Sequence, residues 1–194
     1  MLGRETVDTF EAGTLAGAGC FRCEECGFAV ALHERDEVPA CPHCGGQEFK
    51  RSSIFGDLNP VQEPIAAVGG QPSWLAEARE AIERAGSYLA FDAGGLRVVA
   101  LPEGWTRVGR SLSADIRFDD PTVSRRHAML HREGDSVRIL DDRSLNGVFV
   151  NGDRVDLREL QDGDELTVGR FRLYFLCAEG DAQRGRFGKR RALA

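Results

Sequence analysis

Ser144-Leu145-Asn146-Gly147-Val148-Phe149-Val150-Asn151-Gly152 sets a three-residue apolar run between two Asn-Gly pairs. Asn-Gly supplies the positive φ that tight turns need, so the run reads as a short strand with a turn at each end. The same texture extends in both directions. Runs of β type at 88–91, 96–101, 106–108, 115–118, 127–131, 137–140, 148–150, 165–168 and 171–176 are separated by Gly94-Gly95, Glu103-Gly104, Asp119-Asp120-Pro121, Glu133-Gly134-Asp135 and Asp162-Gly163. Many short strands at regular spacing, without a long helical period among them, predict a mainly β chain built around a sandwich over 87–177.

The sequence before residue 87 has a different character. Residues 20–49 hold five of the six cysteines and carry two basic against six acidic side chains. Pro60, Pro64, Gly69, Gly70 and Pro72 punctuate a linker at 50–72. A short helix is predicted over 73–86, with Ser73 as N-cap, Leu75, Ala78 and Ile82 as its apolar stripe, a Glu80–Arg84 pair and Gly86 as the stop. Residues 1–19 read as a flexible arm and 178–194, with five basic and two acidic side chains, as a disordered basic tail.

The whole chain has 194 residues and a net charge of −6, which argues against a nucleic-acid or anionic-membrane binder. No stretch approaches the ~18 uninterrupted apolar residues of a membrane span, and Glu5, Asp8 and Glu11 break any export signal. A cytoplasmic protein is expected.

Cys23-x-x-Cys26 and Cys41-x-x-Cys44 lie 14 residues apart, the spacing of two metal knuckles. Gly27 and Gly45 follow the pairs, where the backbone must approach the thiolate sulfurs. Four thiolates fill a tetrahedral Zn²⁺ and leave no open position, so the site reads as structural. A segment this small needs the metal to fold. Cys20-x-x-Cys23 offers a second register, but it puts Glu24 where the glycine belongs. His43 sits inside the second knuckle, and Cys177 reads as a buried thiol. The segment resembles the zinc-ribbon and rubredoxin-like class, in which iron is the other metal. Its acidity disfavours phosphate contacts and suits a protein-contact or spacer role.

The chemistry-bearing residues gather in three stretches: Val108-Gly109-Arg110-Ser111, Thr122-Val123-Ser124-Arg125-Arg126-His127-Ala128, and Ser144 to Gly152. In combination and order they resemble the forkhead-associated (FHA) domain family, over about residues 86–177, whose members bind phosphothreonine peptides. A phosphothreonine carries about −1.5 to −2 charge and three acceptor oxygens. Recognising it takes a guanidinium fork, a hydroxyl donor and backbone N–H groups. The resemblance implies an eleven-stranded sandwich that binds phosphothreonine peptides at one end and catalyses nothing. It implies Arg110 on the phosphate, Ser124 as hydroxyl donor, Arg125 as a second positive charge and Asn146 on the peptide backbone. Gly109 and Gly147 would shape the loops, and His127 would brace them. Leu145 stands where many members have threonine, with a neighbouring backbone N–H as its substitute.

The expected protein is therefore a phosphothreonine-dependent adaptor with a structural zinc ribbon. Its partner would be a phosphorylated protein or a serine/threonine kinase. The alternative is a phospho-independent scaffold whose ribbon binds protein or nucleic acid. Thr6 and Thr9, among acidic residues, read first as part of a solvated tail; the alternative is that either, once phosphorylated, is a ligand for the chain's own Arg110 pocket.

Overall fold

The computed structural model describes residues 9–52 and 70–178. The expected basic tail from 179 onward, Thr6 and linker residues 53–69 lie outside the described residues.

The N-terminal unit is a four-stranded antiparallel sheet of β1 (Thr9–Glu11), β2 (Gly19–Cys23), β3 (Ala29–Leu32) and β4 (Glu48–Ser52), in the order β1-β4-β2-β3. Two expectations change here. Thr9–Glu11 is not part of a flexible arm: it pairs with Lys50 to Glu48, because Phe10 meets Phe21 edge-on at 5.3 Å and Arg51 lies over both rings. Lys50–Ser52 likewise belong to β4 rather than to a linker. A small core of Phe21, Phe28, Val30, Leu32, Val38 and Phe49 surrounds the cysteines.

Helix α1 spans Trp74–Glu80, shorter than the predicted 73–86. Ser73 makes no side-chain cap, and Gly86 opens a strand rather than closing the helix. Arg84 already lies in the turn to that strand, its carbonyl accepting from Tyr88 Oη at 2.9 Å. The Glu80–Arg84 pair therefore has no helix to form on. Leu75 and Ala78 pack on Ala90, Tyr174 and Leu176, the outer face of the sandwich. Arg79 ties the helix down through both oxygens of Asp162.

The sandwich contains eleven strands: β5 (Gly86–Asp92), β6 (Leu96–Ala100), β7 (Gly104–Gly109), β8 (Ile116–Arg117), β9 (Ala128–Glu133), β10 (Ser136–Asp141), β11 (Val148–Val150), β12 (Asp153–Val155), β13 (Leu157–Glu159), β14 (Glu165–Val168) and β15 (Phe171–Ala178). One sheet runs β13-β10-β9-β7-β8 and the other β12-β11-β14-β15-β5-β6. Leu89, Phe91, Leu130, Ile139, Leu166, Leu173 and Phe175 fill the space between them. β12 and β13 escaped the sequence reading because their three residues are mostly exposed and carry no apolar alternation. Three connections meet at one end: the exit of β7, the β8–β9 loop and the β10–β11 loop. Among the described residues no helix is long and apolar enough to cross a membrane.

Candidate functional site

Close backbone contact assembles this end of the sandwich. Arg110 and Ser111 donate their N–H groups to the carbonyls of Ser124 and Arg125, at 2.9 and 3.1 Å. A Cβ on Gly109 would stand 2.4 Å from the Arg125 carbonyl oxygen, so only glycine permits the approach. Gly147 takes φ +90°, and its N–H is held by Ser144 Oγ at 2.8 Å.

His127 locks the two longer loops together. The Ser124 amide donates to Nδ1 at 3.0 Å, which leaves the proton on Nε2 to reach the Gly147 carbonyl at 3.2 Å. The ring is fully buried, and burial pushes its pKa down to about 4. An unfolded histidine titrates near 6.5, so between those values the unfolded chain binds the extra proton. Stability should therefore fall as the pH is lowered from 6.5 to 4, by up to about 3 kcal/mol from this group. Denaturant titrations at pH 7, 5.5 and 4.5 test this; His127→Gln should remove that part of the slope.

The side chains named from the sequence converge here, with one outlier. Ser124 Oγ accepts from the Leu145 amide at 3.0 Å, so its own proton is free to donate. That amide is the polar group present where threonine is missing. Arg125 is exposed, and its side chain makes no hydrogen bond or ion pair among the described residues.

Arg110 and Asn146 are 8% and 2% exposed, because strand β3 lies across them. β3 is the edge of its sheet, paired on one side with β2. Its outward groups would be unpaired there; instead they meet the sandwich loops. Ala29 donates its N–H to Asn146 Oδ1 and accepts from Asn146 Nδ2, both at 2.8 Å. The Ala31 amide donates to the Pro121 carbonyl at 2.8 Å, and Arg110 Nη1 donates to the Ala31 carbonyl at 2.5 Å. Arg110 Nη2 reaches Asp36 Oδ2 at 2.9 Å, and its Nε reaches Asp119 at 3.4 Å. The His33 amide, with Arg110 beside it, holds the Asp36 carboxyl below the usual carboxylate range. None of Ala29, Ala31 or Asp36 was singled out from the sequence. Arg110 lies 79 residues from Ala31 and 74 from Asp36, and no local pattern links them.

Thr9 sits in β1, and among the described residues it is 29–36 that fill the site.

The second cluster is in the ribbon. The Sγ atoms of Cys23, Cys26, Cys41 and Cys44 all lie within 4.8 Å of one another, while Cys20 lies apart and accepts from Ser52 Oγ. Two sulfur pairs are 3.6 and 3.5 Å apart. A tetrahedral ion with Zn–S near 2.3 Å requires edges of about 3.8 Å, so the donor set fits. Burial pushes the Cys41 thiol up to about 11 and the Cys26 thiol further; a divalent cation offsets that cost. Gly27 and Gly45 take φ +73° and +80°. Gly46, passed over in the sequence, is also required: a Cβ there would be 2.9 Å from Cys23 Sγ. Its N–H points at Cys44 Sγ at 3.4 Å. His43 stacks on Phe28 instead of joining the donors.

Residues 106–169 match the FHA domain family, and residues 3–53 match a zinc-ribbon containing domain, DUF1451. The chain is 44% identical over 82 residues to the oxoglutarate dehydrogenase inhibitor of Corynebacterium jeikeium, covering 42% of this chain and 57% of that protein. It is 47% identical over 76 residues to the glycogen accumulation regulator GarA of Mycolicibacterium smegmatis, covering 39% and 48%. The chain thus spans about half the length of these relatives. Mycobacterium tuberculosis EmbR, solved in complex with a low-affinity phosphopeptide, is similar at 36% identity and a TM-score of 0.46, over 50% of this chain and 26% of that one.

Proposed function

We propose that this chain, which carries an FHA domain joined to a zinc-ribbon containing domain, is a phosphothreonine-dependent binding adaptor in serine/threonine kinase signalling. One observation carries the reading. The Asn146 amide brackets the N–H and C=O of a single residue in an extended strand, while the Arg110 guanidinium holds a carboxylate beside it. Backbone capture next to anion capture is what a phosphorylated peptide requires.

The roles follow from the atoms. Arg110 meets a phosphate of about −1.5 to −2 charge with a charge-assisted fork. The free Ser124 proton donates to a phosphate oxygen, its Oγ being fixed by the Leu145 amide. Arg125, exposed at the rim, adds positive charge that steers the ligand. Asn146 sets the register of the peptide without touching the phosphate. The Ser124–His127 contact runs through the serine amide rather than its hydroxyl, an arrangement for binding and not for nucleophilic attack.

The ribbon would hold Zn²⁺ through Cys23, Cys26, Cys41 and Cys44. The ion supplies folding energy, since four thiolates leave it no open position. The partner is a phosphothreonine protein or the kinase itself, met in the cytoplasm.

Selection from an oriented phosphothreonine library against the same library left unphosphorylated tests the reading. Enrichment only from the phosphorylated library is expected. Ser124→Ala should weaken capture less than loss of Arg110 does, and Asn146→Ala should weaken capture of the phosphorylated peptides by loosening their backbone without touching the phosphate. Equal enrichment from both libraries would refute it.

A further inference from the structure

We infer that the ribbon is a built-in competitor for the phosphopeptide site: β3 takes the place of the peptide backbone, Asp36 takes the place of the phosphate, and a phosphothreonine ligand binds by displacing them. The inference rests on the phosphopeptide reading of Arg110, Ser124 and Asn146.

The contacts repeat what a ligand needs, with unmodified residues. Ala29 and Ala31 offer the outward backbone groups of an edge strand, and Asn146, Pro121 and Arg110 take them up. Asp36 is held in place by the His33 amide at 2.8 Å and faces Arg110 at 2.9 Å. With Arg110 and Asn146 this deeply covered, no second strand fits on the same atoms. A peptide using Asn146 must first remove Ala29 from it.

The mimic is weaker than the ligand it stands for. A carboxylate carries one charge and two oxygens, against about −1.5 to −2 and three for a phosphate. It engages Arg110 but leaves the Ser124 proton and the Arg125 side chain unused among the described residues. Its advantage is the covalent connection, which gives an effective concentration on the order of millimolar for a short tether. Release also leaves both cores whole, because the apolar clusters of ribbon and sandwich share no residue. The apparent affinity for a ligand is then the intrinsic affinity scaled by the fraction of chains whose site is open.

The test uses the full-length chain, its Asp36→Ala variant, and a phosphothreonine peptide selected on that variant from an oriented library. The variant should bind the peptide at least about tenfold more tightly than the unaltered chain. Hydrogen exchange gives an independent measurement on the unaltered protein. Saturating phosphopeptide should release the protection of the Ala29 and Ala31 amides, whose acceptors are Asn146 and Pro121. Equal affinities, together with Ala29 and Ala31 protection unchanged at saturation, would overturn the competitor while leaving the phosphopeptide site intact. If no phosphopeptide binds either chain, the reading of the site fails and the competitor falls with it.

Discussion

Replacing Cys23 and Cys41 by serine should unfold the ribbon and leave the sandwich folded. The ribbon core is small: Phe21, Phe28, Val30, Leu32, Val38 and Phe49 supply most of its apolar burial. A segment of that size seldom folds on burial alone. In zinc-finger peptides the bound ion is worth about 10–16 kcal/mol of folding energy. The double substitution takes a sulfur from each knuckle and leaves only Cys26 and Cys44 of the four donors, too few to hold the ion. Amide exchange reads the result residue by residue. Phe21, Val30 and Phe49 should lose protection, whereas Leu89, Leu130 and Phe175, in the separate sandwich core, should keep it. Zinc content should fall from one ion per chain to none. A ribbon that stays protected after the substitution would show that the metal does not hold it.

Arg110→Ala, made in the Asp36→Ala chain, should cost phosphopeptide affinity about one to two orders of magnitude. A hydrogen bond to a charged group contributes roughly 1.5–3 kcal/mol, and 1.4 kcal/mol is tenfold. The background matters. In the unaltered chain Arg110 also holds Asp36 and the Ala31 carbonyl, so removing it would loosen the ribbon and partly mask the loss. Arg110→Lys should restore only part of the affinity, because an ammonium cannot present the guanidinium fork. Fluorescence anisotropy with a labelled phosphopeptide measures both. Unchanged affinity in Arg110→Ala would move the phosphate elsewhere on the sandwich.

The sandwich was legible because its turns are spelled locally. Asn146-Gly147 and Asn151-Gly152 mark their positions, and Asn151 and Gly152 indeed take φ +53° and +88°. The paired CxxC spacing marked the ribbon in the same way, and the four sulfurs gather accordingly. β12 and β13 were silent because three mostly exposed residues carry no period. Gly86 misled: a glycine after a helical stretch reads as a stop, but here it begins β5. Thr9 misled through its acidic neighbours, while Phe10 beside it was the residue with a core to join.

Arg110, Ser124 and Asn146 could be picked out because each belongs to a short motif. What fills their site could not. Ala29 and Ala31 are chemically plain, and Asp36 is one acidic residue among six in residues 20–49. Their importance comes from β3 being an edge strand turned toward the sandwich loops, a tertiary fact with no local signature.

The most direct measurement is a heteronuclear NMR titration of the Asp36→Ala chain with a selected phosphothreonine peptide and its unphosphorylated twin. It follows the Arg110 Nε–H, the Ser124 and Leu145 amides and the Asn146 side-chain NH₂. The phosphopeptide should shift all four sets of signals, and the twin at the same concentration should leave the first three in place. Equal shifts from both peptides, or shifts confined to other parts of the sandwich, would contradict phosphothreonine recognition at this site.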